Sequence, residues 1–383
     1  MKNYSLFLIG ILSISIMTAS SVYAQWTPTP NDTLVSHRIL PDKKIRFSIY
    51  APGAHKVQLG GSDIPGVGMG IDMTKSEEGI WKCTVGPVVP GAYRYNFIID
   101  GVFVLDPKNT ATSESSTNLW SLIYIEESDS KKNIQVPHGA VSEVTYYSNS
   151  LKRFRRMHIY TPFGYETNDD MYPVLYLLHG ALDCDDAWHT VGRAGFILDN
   201  LIADQKAVPM IVVMPAGHTG PYQWGQPLQI DEFVTDFTGD IRPYIEKNYR
   251  VLTGRENRAI AGLSMGGAQT LNIAIPDLES YGYIGVFSSG VFGITGHGSS
   301  VNTGGLSWEE QNKAALDNIA AKEDLRLFWF ATGKDDYLLE TSRATVEMLR
   351  RHGFEIVYKE SPGGHTWINW RDYLHEFAPL LFR

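Results

Sequence analysis

Polar and apolar residues alternate in short runs through the first third of the chain. Lys44-Ile45-Arg46-Phe47-Ser48-Ile49-Tyr50 has a period of two and ends at Pro52-Gly53, the pattern of a half-buried strand. Lys56-Val57-Gln58-Leu59 follows and stops at Gly60-Gly61. Trp81-Lys82-Cys83-Thr84-Val85 alternates again. Pro90-Gly91 turns the chain into Ala92–Ile99, and Asp100-Gly101 is a hairpin signal before Val102–Leu105. Short strands, regular turns and no helical period predict an all-β sandwich over residues 25–127.

The pattern changes beyond the polar stretch Glu126–Asn133. Strands are expected over Ser142–Tyr147 and Arg155–Tyr160. Val174–Leu178 and Met210–Met214 are unbroken apolar runs, as in parallel strands covered on both faces. Helical spacing marks Ala194–Ala203 and Phe233–Tyr249, the latter with Phe233, Phe237, Ile241 and Ile245 every fourth residue. Arg258–Gly262 and Leu325–Ala331 add core strands. Alternating strand and helix predicts an α/β unit over residues 128–383, with a mostly parallel central sheet and helices on both faces.

The extreme N-terminus reads differently. Lys2 is the only charged residue before position 25, Leu6–Met17 is apolar, and Val22-Tyr23-Ala24 presents small residues at a cleavage site before Gln25. Residues 1–24 therefore read as a secretory signal peptide that directs the chain across the inner membrane, to the periplasm or beyond. The apolar run is too short to span a bilayer, and no later stretch is apolar enough to do so, so no membrane span is expected. A formal net charge of −9 without a basic cluster argues against nucleic acid as a partner. Two cysteines, Cys83 and Cys184, make no disulfide framework.

Candidate chemistry centres on Gly262-Leu263-Ser264-Met265-Gly266-Gly267, between the strand ending at Gly262 and the helical segment Ala268–Ala274. Gly-x-Ser-x-Gly in that setting is a nucleophile elbow, a turn tight enough to demand glycine and to lift the serine hydroxyl above the sheet. Serine needs a base, and the base needs an acid that follows it in this chain order. Asp336, past the end of the Leu325–Ala331 strand, is the chosen acid, with Asp335 as its alternative. His365, in the loop Ser361–Trp367 after the last strand, is the base. Backbone N–H donors for an oxyanion are expected from Met265 and from the loop after Val174–Leu178, at Ala181 or else Leu182. His179 reads as structural support for that loop.

Other chemistries fit less well. His179, Asp183, Asp185, Asp186 and His189 lie in one loop without the spacing of a metal site. The pairs Glu77-Glu78 and Glu309-Glu310 are adjacent, whereas glycoside hydrolysis needs two carboxyls across a bond. No metal and no organic cofactor is expected.

Tyr176-Leu177-Leu178-His179-Gly180, Met214-Pro215, Ala261–Gly267, Gly333-Lys334-Asp335-Asp336 and Gly363-Gly364-His365-Thr366-Trp367 occur in an order that resembles the esterase-D-like α/β hydrolases. Within them it is similar to the feruloyl and acetyl-xylan esterases of the first carbohydrate esterase family. The N-terminal portion, residues 25–127, resembles the early-set immunoglobulin-like domain found beside such enzymes. Through Phe47–Pro52, Gly91–Tyr95 and Asp106-Pro107 it also resembles the carbohydrate-binding module of glycogen-branching enzymes. The resemblance implies an α/β-hydrolase fold and a Ser264, Asp336, His365 triad. It also implies ester-decorated plant polysaccharide as the partner, with glycan binding or a structural role for the N-terminal domain. Siderophore esterases share both parts, and mycolyltransferases share the catalytic part. Cationic residues for a trianionic iron complex are few in the mouth loops, where Arg193 stands almost alone. Trp188, Tyr222, Trp224, Trp308, Trp367 and Trp370 fall in loops expected at the mouth. Of these, Trp188, Trp224, Trp308 and Trp367 are taken as contacts for a planar phenolic acyl group.

Overall fold

A computed structural model describes residues 27–125, 136–223, 225–295 and 306–383. The proposed signal peptide, the boundary at 127/128 and Trp224 lie outside the described residues.

The N-terminal region is all β. Strands His37–Ile39, Ile45–Tyr50, Ile80–Val85 and Thr74–Lys75 form one antiparallel sheet in that order. A second sheet is built on Gly91–Ile99, flanked by Val57–Gly61 and Leu119–Ile125. Between the sheets Phe47, Leu59, Tyr93, Tyr95 and Phe97 are fully buried. Alternation along Ile45–Ile49 reaches this core as expected. Gly91–Ile99 is instead buried on both faces. Tyr93, Tyr95 and Phe97 enter the sandwich core, while Ala92 joins a core of the second unit. A sheet face that would otherwise meet water is thus pressed against the rest of the chain.

The second unit holds a mixed eight-stranded sheet. Its strands are β1 (Ala140–Ser148), β2 (Arg153–Thr161), β3 (Val174–Leu178), β4 (Ile211–Pro215), β5 (Arg258–Leu263), β6 (Tyr283–Phe287), β7 (Leu327–Gly333) and β8 (Val357–Ser361). They lie in the order β1-β2-β4-β3-β5-β6-β7-β8. β1 and β2 run antiparallel, and the six strands from β4 to β8 run parallel. Successive residues of each central strand feed opposite cores. On one face Tyr176, Val213, Ile260, Val286 and Phe330 pack under helices α1 (Ile230–Asp236), α2 (Arg242–Asn248), α3 (Met265–Ala274) and α4 (Leu339–Arg351). On the other, Leu177, Val212, Ala261, Phe287 and Trp329 pack under the helix Ala194–Ala203 and α5 (Trp367–Phe377). Two-sided burial explains why these strands read as unbroken apolar runs.

The helix expected over Phe233–Tyr249 contains one wide turn, Phe237–Ile241, between α1 and α2. That turn carries Asp240, which closes the β1–β2 hairpin. Its carboxylate accepts the Asn149 and Ser150 N–H groups at 2.9 Å each, the Asn149 amide at 3.1 Å and the Ser148 hydroxyl at 3.2 Å. Burial pushes this carboxyl up, but hydrogen bonds from Ser150 and Asn149 outweigh it and hold it down to about 2. Folded Asp240 therefore binds a proton less readily than unfolded Asp240. The stability it contributes is complete above its ordinary value of 3.8 and is lost as pH falls towards 2. Asp240→Asn is expected to cost about 1–2 kcal/mol at pH 7. Chemical denaturation across pH 2–7 checks this, and a cost that fails to shrink in acid would refute the account.

Candidate active site

β5 ends at Leu263 and α3 begins at Met265, so Ser264 alone makes the turn. It does so at φ 51° and ψ −119°, which a residue with a Cβ adopts only under strain. The neighbouring glycines permit it. A Cβ on Gly262 would strike the Gly266 carbonyl, and one on Gly266 would lie 2.6 Å from the carbonyl oxygens of Leu178 and His179. The Ser264 N–H donates to the Phe287 carbonyl at 2.9 Å, and its own carbonyl accepts the Ser289 hydroxyl at 2.5 Å. Packing and hydrogen bonds on both sides hold the strained turn.

Two loops beyond neighbouring strand ends bring partners to this serine. His365 Nε2 lies 2.9 Å from Ser264 Oγ. His365 Nδ1 lies 3.0 Å from each carboxylate oxygen of Asp336, in the turn after β7. Asp336 also accepts the Leu338 N–H at 2.8 Å. Burial would raise the Asp336 carboxyl, but the hydrogen bond and charge of His365, and then the Leu338 N–H, hold it below the usual carboxylate range. An ionised Asp336 keeps the proton on Nδ1 and turns the Nε2 lone pair towards Ser264. Asp335 plays another part, its N–H donating to the Gly363 carbonyl at 3.0 Å and steadying the loop that carries His365.

The loop after β3 abuts the nucleophile, for a Cβ on Gly180 would lie 3.4 Å from that of Ser264. The amides of Met265, Ala181 and Leu182 donate to no group among the described residues. The Ala181 carbonyl is held at 2.7 Å by His218 Nε2, and the Leu182 carbonyl at 3.1 Å by the Ser116 N–H. His179 Nδ1 contacts the Gly180 carbonyl at 2.8 Å, while its Nε2 accepts the Gly217 N–H at 2.7 Å. Burial pulls its pKa to about 4, so it supports the loop as a neutral ring.

The aromatic contacts expected from the sequence need correction. Trp188 and Trp367 are each 1% exposed and meet edge to face at 5.1 Å beneath the site. Trp188 also donates its indole N–H to the Leu178 carbonyl at 3.1 Å. Both belong to the core, where their large apolar area is best satisfied. Trp308 donates to Asn272 at 3.0 Å, about two turns along α3 from Ser264, and packs there instead of at the mouth. Sequence reading missed Tyr337. This residue is 74% exposed, and its ring centroid lies 4.4 Å from that of His365. Adjacency to the acid was the one signal that could have marked it. Tyr222 stands 5.2 Å from His218, and Trp370 meets His365 edge-on at 5.0 Å. Among the described residues no cluster of His, Cys, Asp or Glu could hold a metal ion, and no helix is long and apolar enough to cross a membrane.

A strained serine between strand and helix, hydrogen-bonded to a histidine that is braced by a buried carboxylate, is the constellation of the serine hydrolases. Residues 148–380, more than half of the chain, match the Esterase family, and residues 34–113 match carbohydrate-binding module 48, the isoamylase N-terminal domain. The chain belongs to the Esterase family. It is 32% identical over 355 residues to an endo-1,4-beta-xylanase/feruloyl esterase of Xylanibacter ruminicola, a match that covers 88% of this chain and 44% of that protein. The chain thus spans less than half of that relative's length. The CE1 ferulic acid esterase of Anaeromyces mucronatus is 26% identical with a TM-score of 0.56, covering 66% of this chain and 93% of that one. An enterochelin esterase of Shigella flexneri shares the fold across both units, at 16% identity and a TM-score of 0.63, over 90% of this chain and 94% of that one.

Proposed function

We propose that this protein is a secreted feruloyl esterase, which removes hydroxycinnamoyl groups from plant cell-wall xylan through an acyl-enzyme on Ser264. The observation that carries the reading is the hydrogen-bonded chain from Ser264 through His365 to Asp336. His365 takes the serine proton as Oγ attacks the ester carbonyl, and the Met265 and Ala181 amides receive the oxyanion. The sugar alcohol leaves with the proton from His365. Water then attacks the acyl-enzyme with His365 as base, releasing ferulate and restoring the serine. Relatives named for ferulate esters support the acyl group, and the exposed ring of Tyr337 beside His365 suits a planar phenol. The N-terminal sandwich, similar to a carbohydrate-binding module, adds contact with the glycan chain in this reading.

Purified protein is expected to release ferulate from methyl ferulate at about 1–100 per second and to be retained on insoluble arabinoxylan. Acetylated xylan and a ferric catecholate trilactone are the comparison substrates. If a fluorophosphonate labels Ser264 but only acetate is released, the feruloyl reading falls and acetyl-xylan esterase replaces it. Turnover of the trilactone alone would make the protein a siderophore esterase. Failure to bind arabinoxylan would leave the sandwich without its glycan role.

A further inference from the structure

Arg94 lies on the central strand of the N-terminal sandwich, yet its guanidinium reaches the loop that borders Ser264. It donates from one terminal nitrogen to Asp183 Oδ1 at 2.6 Å, and from Nε to Asp63 Oδ2 at 2.7 Å. Its other terminal nitrogen lies 3.4 Å from Asp63 Oδ1. Arg94 is 8% exposed and Asp183 3% exposed, so these two form a buried ion pair, which the half-buried Asp63 joins from its outer side. Asp183 sits three residues beyond Gly180, whose carbonyl accepts the Asp183 N–H at 3.1 Å, and two beyond Ala181. The same guanidinium stands 5.9 Å from the ring centroid of Trp367, two residues past His365. One side chain from the sandwich therefore bonds to the loop beside the nucleophile and lies over the ring that opens α5, just past the loop of His365.

Arg94 is not needed merely to hold the two units together. Arg371 donates to the carbonyls of Ala92 and Val191 at 3.0 Å each, and the Glu114 N–H meets Asp186 at 2.7 Å. The Ser113 and Thr190 hydroxyls lie 2.7 Å apart, and Ala92 and Leu122 are buried in the core of the second unit. What Arg94 alone supplies among these contacts is a positive charge against Asp183. Without it, a buried carboxylate would remain beside the place where a substrate oxygen gains negative charge. Charged, that carboxylate would repel the oxyanion; burial, which already pushes this carboxyl up, would otherwise drive it to take up a proton and turn its loop towards a new partner.

We infer that Arg94 is a positioning residue for ester hydrolysis: paired with Asp63 and Asp183, it fixes the Gly180–Asp183 loop for the oxyanion and neutralises the carboxylate beside it. The inference rests on the reading of Ser264 as nucleophile. It makes the sandwich part of the catalytic apparatus, in addition to any hold on a glycan.

The test compares wild type with Arg94→Met, Asp183→Asn, the double variant and Arg94→Lys. Rates on methyl ferulate and p-nitrophenyl acetate are normalised to the fraction of protein labelled by a fluorophosphonate. Displacement of an oxyanion donor by about 1 Å costs on the order of 100-fold. Arg94→Met is expected to lower kcat by about 10–100-fold with KM within about threefold. Adding Asp183→Asn is expected to recover at least about fivefold, since no lone carboxylate is then left. A purely structural role would lower the melting temperature without moving kcat per labelled serine, and would show no such rescue. Should Arg94→Met fail to fold, Arg94→Lys keeps the charge but loses the fork that joins two carboxylates, and a fall of about 3–10-fold is expected. An unchanged kcat in whichever variant folds overturns the inference. A wild type inactive on both esters would instead count against the esterase reading itself.

Discussion

Ser264→Ala is expected to cut ester turnover by about 10⁴-fold or more while leaving the fold intact. The hydroxyl meets His365 Nε2 and the exposed Tyr337 at the mouth, and the Ser264 backbone is held separately by Phe287 and Ser289. Removing one buried oxygen therefore deletes the nucleophile and little else. The strain at φ 51° remains in alanine, but Ser264→Gly relieves it. The glycine variant is expected to be equally inactive and to melt a few degrees higher than the alanine variant. Rates on methyl ferulate with parallel thermal melts check both. An alanine variant that keeps more than about 1% of wild-type kcat would exclude an acyl-enzyme at this position.

Asp336→Asn is expected to have the second largest effect, about 10⁴-fold in kcat near neutral pH with little change in KM. An asparagine amide at the same place can donate to His365 Nδ1, which would move the ring proton to Nε2. The face turned to Ser264 would then be a donor, unable to accept the serine proton. Burial makes the consequence severe, because the Asp336 carboxylate has no water to replace its hydrogen bonds. Asp335→Asn is the internal control and is expected to alter kcat by less than about threefold, since that residue acts through its backbone N–H. A large loss in the Asp335 variant beside a mild one at Asp336 would reassign the acid.

Much of the architecture was readable because burial leaves a period in the chain. Ile45–Ile49 alternated, β3 and β4 were unbroken apolar runs, and the glycines around Ser264 announced a turn that admits no Cβ. What the linear pattern does not carry is which face meets what. Leu119–Ile125 is neither alternating nor unbroken, since Ser121 interrupts its apolar run, and Gly68–Asp72 has too few large side chains to alternate, so neither stood out as a strand. Trp188 and Trp367 occupy loop positions by sequence, yet Trp367 opens α5 and both rings are buried in the core beneath the sheet. Serine, histidine and acid were legible from order and strand ends alone. Arg94 was not, because its partner is 89 residues away and the hint was a charge in a strand otherwise headed inwards.

The doubly covered central strand of the sandwich has a practical corollary for anyone recombining this protein with other modules. Cutting before β1 would strip Ala92 and Leu122 from the core they help to seal, and would strand Arg371 and Asp183 without their counterparts. The smallest cassette worth moving comprises both halves, transplanted as one piece. Fusion partners belong on faces remote from their shared seam.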